Sequence, residues 1–72
     1  MDIRKQTALI IRKDGEFLQG RIMYSKLYRW SISPWDAWMT RSREKARNMQ
    51  AENGGEIMLW NPIAGQLREA RL

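Results

Sequence analysis

A chain of 72 residues with neither cysteine nor histidine has to hold its fold together by side-chain packing alone. One core of this size lies near the lower limit of independent stability, and small domains usually add a disulfide, a metal or a partner subunit. Without cysteine there is no disulfide and no thiolate metal site. Without histidine the commonest metal ligand is missing as well. Self-association is the staple that remains, so the sequence predicts a homo-oligomer, most simply a dimer. The same absences bear on chemistry, because histidine is the usual general base of nucleophile triads and the physiological pH switch. The length fits a single domain, 1–72, and no cofactor is expected. Met1 to Lys5 opens no apolar run of signal-peptide length. The longest early apolar run, Ala8 to Ile11, is far too short to span a bilayer, so the expected location is cytoplasmic.

Thr7 to Arg12 reads as a strand, with Leu9, Ile10 and Ile11 at its centre. Asp14-Gly15 follows, and this pair between apolar runs is a strong hairpin signal because both residues tolerate the positive φ of a tight turn. The second strand is predicted over Glu16 to Tyr24. Phe17, Gln19, Arg21 and Met23 fall on one face and Leu18, Gly20, Ile22 and Tyr24 on the other, and Gly20 marks a bulge or a close backbone approach. Tyr24 to Leu27 reads as a turn, and Tyr28 to Ile32 as a short third strand. Ser33-Pro34-Trp35-Asp36 has the chemistry of a helix start: a capping serine, a proline set for the first helical position and an acid in the first turn. Trp35, Trp38, Met39, Ser42, Ala46, Met49 and Asn53 then form one helical stripe. A single helix over Pro34 to Asn53 is predicted, with a break at Thr40 to Ser42 left open because Ser42 could cap a second helix. Asn53-Gly54-Gly55 ends it. Glu56 to Trp60 is the last predicted strand, Asn61 to Gly65 is turn chemistry, and the tail, 65–72, receives no regular element. The predicted fold is a small α+β domain: a mostly antiparallel sheet of three to four strands with one main helix packed on one face.

Basic residues number 13 against 8 acidic, a net charge of +5, and nine of the 13 are arginines. Arginine's planar fork suits phosphate better than the point charge of lysine does. Either the excess solubilises the surface or it meets an anionic partner. Arg41, Arg43, Lys45 and Arg47 are the densest cluster. At about 100° per residue Arg41 and Lys45 flank one side of the apolar stripe and Arg43 and Arg47 the other, so they either line a groove or stand solvated. The four tryptophans, Trp30, Trp35, Trp38 and Trp60, are many for this length. Trp38 reads as core, Trp35 as the edge of the core or an interface, and the strand residues Trp30 and Trp60 as the better candidates for a binding surface. Tyr28, Arg29 and Trp30 place two rings beside a guanidinium, which suits base stacking with phosphate neutralisation. No carboxylate pair has a spacing that argues acid–base work, and no glycine loop precedes a helix. A non-catalytic protein is therefore expected.

Tyr-Arg-Trp-Ser from Tyr28, Ser-Pro-Trp-Asp-Ala-Trp from Ser33, Ser-Arg-Glu-Lys-Ala-Arg from Ser42, Gly-Gly-Glu-Ile from Gly54 and Asn-Pro-Ile-Ala-Gly from Asn61 resemble segments of small phage and prophage proteins of strand–strand–helix–strand type. The resemblance covers about half of the chain and rests mostly on capping and turn residues. It implies an origin in an infected bacterial cell and an anti-defence role.

Together these observations predict a protein that binds and sequesters a phosphate-bearing ligand, most simply a nucleotide signal, through Tyr28, Arg29, Trp30, Arg41, Arg43 and Arg47. Two alternatives stand beside it: a nucleic-acid-binding accessory protein, and a protein-directed inhibitor of a host defence enzyme. A nucleotide site requires convergent arginines and an aromatic in one concavity. Nucleic-acid binding requires one continuous basic face. An inhibitor requires a flat apolar patch of tryptophan or methionine with a basic rim.

Overall fold

The computed structural model describes residues 7–21 and 27–70. Five strands form one sheet: β1 (Ala8–Lys13), β2 (Glu16–Arg21), β3 (Tyr28–Ser31), β4 (Glu56–Asn61) and β5 (Gln66–Glu69). Their spatial order is β3-β2-β1-β4-β5 and every pairing is antiparallel. One helix, α1 (Arg43–Asn53), lies over β1 and β4. The α+β class and the single helix agree with expectation, but the sheet has five strands rather than three to four. The added strand is β5, formed by Gln66–Glu69 of the segment to which no element was assigned. It pairs with β4 from Asn61↔Gln66 to Met58↔Glu69. The turn before it is fixed by Asn61, whose buried Oδ1 accepts from the amides of Ile63 and Ala64. The predicted residues Ile22 to Tyr24 of the second strand, and the turn from Tyr24, lie outside the described residues.

The first hairpin follows its turn residues. Asp14 and Gly15 have φ of 52° and 79°, which matches the pair of positive dihedrals that a two-residue hairpin turn demands. Gly20 sits where the β2–β3 register shifts, so the bulge is real. At the far end of α1, Gly55 is constrained by closeness: a Cβ there would lie 2.6 Å from the Arg12 carbonyl oxygen, at a φ of +89°.

The predicted helix from Pro34 is corrected. Pro34–Asp36 forms only one 3-10 turn, capped by Ser33, and the chain is extended again at Ala37. The α-helix begins at Arg43, with the Ser42 hydroxyl accepting from the Lys45 amide, as the open break near Thr40 to Ser42 allows. The reason lies in the first hairpin. β1 and β2 pair only at Arg12↔Phe17 and Lys13↔Glu16, next to their turn, and then diverge. Residues 38–40 enter the gap. The Trp38 amide donates to the Leu18 carbonyl at 2.7 Å, and Leu9 and Thr40 exchange both amide bonds at 2.7 and 3.1 Å. Leu9 and Leu18 are buried, and unmet backbone groups there are costly. An extended segment can pair with them, whereas a helix spends its own amides internally.

Both sheet faces carry a core. On the helix side Leu9, Ile11, Leu18 and Ile57 pack with Ala46, and Tyr28, Trp30, Trp38, Met49 and Leu59 close around them. On the other side Ile10, Phe17, Met58 and Trp60 pack with Ala37, and Leu67 adjoins. Each fully buried isoleucine or leucine contributes roughly 1.5–3 kcal/mol.

Candidate functional site

The six residues expected to hold a phosphate-bearing ligand do not converge within one chain. Tyr28 and Trp30 point to the helix side, where both pack on the core and the Tyr28 hydroxyl donates to Glu52. Arg29, between them on β3, is exposed and by strand alternation faces the opposite side. Arg43 and Arg47 are exposed on α1. Arg47 lines a shallow hollow of about 390 Å³ with Gln50, Glu56, Ile57 and Glu69, a lining that mixes its charge with two carboxylates. Arg41 lies elsewhere, in a hollow of about 350 Å³ with Ala8, Met39, Thr40 and Pro62.

Two tryptophans are placed differently from expectation. Trp60 is only 3% exposed and Trp30 is half-buried, so neither forms an open binding surface. A sheet with a core on both faces buries inward-facing residues of either parity, which alternation on one strand does not reveal. Trp38 packs against the helix-side core as expected, although it is half-buried rather than enclosed.

Among the described residues the exposed aromatic is Trp35. It stands in the 3-10 turn, 61% exposed, with its ring packed edge-on against Trp60 at a centroid separation of 5.1 Å. From this pair an apolar row runs across the face opposite the helix. Trp60 pairs with Ala8 across the strands, and Ala8 lines one hollow with Met39 and Pro62. Met39 is 46% exposed, and Ile63, next to Pro62, is 70% exposed. Arg41 borders the row in the same hollow, and Arg29 lies on the same face at the β3 edge. Asp36 adds one carboxylate, bonded weakly to the Ser31 hydroxyl at 3.5 Å. Beneath the row the Trp60 indole N–H is buried and finds no acceptor among the described residues.

Trp35, expected at the edge of the core or an interface, and Met39, expected on the helical stripe, both lie outside the predicted ligand-binding set. That stripe dissolves once residues 37–40 are extended. The usable signal was Pro34-Trp35: a large aromatic in the first turn, ahead of any helix long enough to bury it.

The arrangement offers binding chemistry. Asp14 forms the hairpin turn, Glu56 pairs with Arg12 at 3.3 Å, Glu52 accepts from Tyr28 and Glu44 lies in the first turn of α1. Among the described residues no group of three or more acidic side chains could hold a metal ion, and no helix is long and apolar enough to cross a membrane. No protein-family model, no curated protein and no solved structure matches the chain.

Proposed function

We propose that this chain is a non-catalytic protein-binding domain that covers a surface of a partner protein with the sheet face opposite its helix. The observation that carries the reading is Trp35, exposed on top of Trp60 at the head of the row formed with Met39 and Pro62. Tryptophan and methionine are enriched at interfaces and depleted on open surface, and contiguous exposed apolar residues mark docking sites. Arg29 and Arg41 supply the basic flank that an inhibitor of an acidic surface requires. Action by occupying a surface also suits the anti-defence role implied by the likeness to phage proteins. The nucleotide reading takes second place because its six residues point to different sides of one chain.

The test is photo-crosslinking in cells that express the chain, with benzoylphenylalanine placed at position 35 or, as a control, at position 47 on the helix. A protein adduct formed only from position 35 is expected. Trp35→Ala should then lower affinity for that purified protein about 100-fold, the loss of a central aromatic anchor. Adducts only from position 47, or unchanged affinity, would exclude this face. Saturable binding of a nucleotide or an oligonucleotide with no protein adduct would return the function to an anionic ligand.

A further inference from the structure

We infer that the occupant of the Trp35 face is an acidic, extended segment of the partner, and that it supplies a carbonyl or carboxylate oxygen to the buried indole N–H of Trp60. This inference rests on the proposed docking face and specifies what enters it.

The first observation is the unmet donor. A buried tryptophan N–H normally has an acceptor, and an unmet one lowers the stability of the free state. The Trp60 N–H has none among the described residues, although Trp60 sits in the core and pairs on both sides, with Ala8 on β1 and Leu67 on β5. An acceptor brought by a partner recovers that deficit only in the complex, so the donor selects for chains that carry one.

The second observation is the nature of its cover. The ring that packs on Trp60 from the solvent side belongs to Trp35, which no element encloses. Its backbone lies in a three-residue 3-10 turn, held by the Ser33 hydroxyl at 3.3 Å from the Trp35 amide. A change of rotamer at Trp35, which needs no movement of a strand, has to expose the edge of Trp60 to the incoming chain. The part of the partner's surface that meets this ring is then a narrow extended segment.

The third observation is charge. Arg29 and Arg41 lie on this face against one carboxylate, Asp36, and the chain as a whole carries +5. An acidic segment meets opposite charge at both flanks. A second copy of the chain brings the same excess of positive charge to the contact, which opposes association there.

The experiment titrates the whole chain, labelled with nitrogen-15, with three short synthetic peptides: alternating glutamate and leucine, glutamate alone, and alternating lysine and leucine. The readout is the indole N–H resonance of Trp60, assigned from its absence in Trp60→Phe. Only the glutamate–leucine peptide should saturate, and the Trp60 resonance should move downfield as its proton finds an acceptor. Trp60→Phe should weaken that peptide about 2- to 10-fold, the worth of one hydrogen bond, while the circular dichroism spectrum is kept. If Trp60→Phe does not fold, the Trp60 resonance in the parent decides, with assignment by selective labelling. Saturation that leaves this resonance in place overturns the inference. So does equal binding of either control peptide, or no binding of any. Light scattering that gives twice the monomer mass, abolished by Trp35→Ala, assigns the face to a second copy instead. An oligonucleotide that saturates the same resonance assigns it to nucleic acid. Failure here with a protein adduct still formed from position 35 removes the acidic segment alone; loss of both removes the docking face as well.

Discussion

The two faces of the sheet carry cores of similar residue content but differ in what covers them. On one face α1 lies across β1 and β4, and it brings Ala46 to complete burial with Met49 beside it. On the other face the cover is a strap made of the 3-10 turn Pro34–Asp36 and the extended residues after it, which buries Ala37 and leaves Trp35 61% and Met39 46% exposed. A helix presents a stripe about one third of its circumference wide and can hide every apolar residue on it. The strap instead turns only part of its length onto this face: Ala37 is buried, Trp38 turns to the helix-side core, and Trp35 and Met39 stand outside. Each device closes a core, but only the second leaves an apolar row outside. That difference, more than the excess of arginine, separates scaffold from candidate site.

The comparison breaks first in the cores. Ile11 under the helix and Ile10 under the strap are both fully buried. If both faces are true cores, Ile11→Ala and Ile10→Ala should each cost about 3 kcal/mol in urea denaturation. A much smaller loss at Ile10 would show that the strap side is loosely packed and that its apolar row is only an unfinished core.

The junction between α1 and β4 comes next. Gly55→Ala forces a Cβ towards the Arg12 carbonyl at an unfavourable φ, and should cost about 2 kcal/mol by the same measurement. A neutral result would mean that α1 docks less rigidly on the sheet than its close approach implies. The caps then sharpen the contrast between helix and strap. Ser42→Ala removes the N-cap of an 11-residue helix and should cost about 1 kcal/mol. Ser33→Ala removes the cap of a three-residue turn and should cost roughly half as much. If Ser33 proves the more costly, the strap depends on its cap more than the helix does, and the contrast between the two covers is reversed.

The smallest effect on stability is expected at Trp35. Trp35→Ala loses one edge-on ring contact from a mostly exposed side chain, and should shift the unfolding free energy by about 0.5 kcal/mol. Its effect on partner affinity should be the largest of any single change. A variant that unfolds like Ile10→Ala would place Trp35 in the scaffold instead of the site.

What could be read from the sequence was local. Asp14-Gly15 specified the hairpin, Gly20 the bulge, Ser33-Pro34 a start that runs for one 3-10 turn instead of the predicted helix, Ser42 the cap that the open break allowed, and Asn53-Gly54 the helix end, where the Gly54 amide donates to the Gln50 carbonyl at 2.7 Å. Each is settled by the dihedrals or hydrogen bonds of a few consecutive residues, so neighbours in sequence suffice. The charge excess and the lack of cysteine and histidine likewise needed no structure. Of the site, the sequence supplied Arg29 and Arg41 as members of a basic surface but grouped them with Tyr28 and Trp30, which face the other way.

Three features were decided only by tertiary structure. The helical stripe from Trp35 to Asn53 broke because Leu9 and Leu18, brought close by the hairpin and then spread apart, needed backbone partners that only an extended Trp38–Thr40 could give. Gln66–Glu69 became a strand because β4 offered an open edge at a register fixed by Asn61, although those four residues have no strand pattern of their own. Trp60 was buried and Trp35 left outside because the strap crosses the second face at that point. In the first and third cases the deciding energy is a hydrogen bond or a buried area between residues far apart in the chain, and in the second it is pairing across a short turn. Periodicity along the sequence carries no record of such a contact until the fold has brought its two sides together.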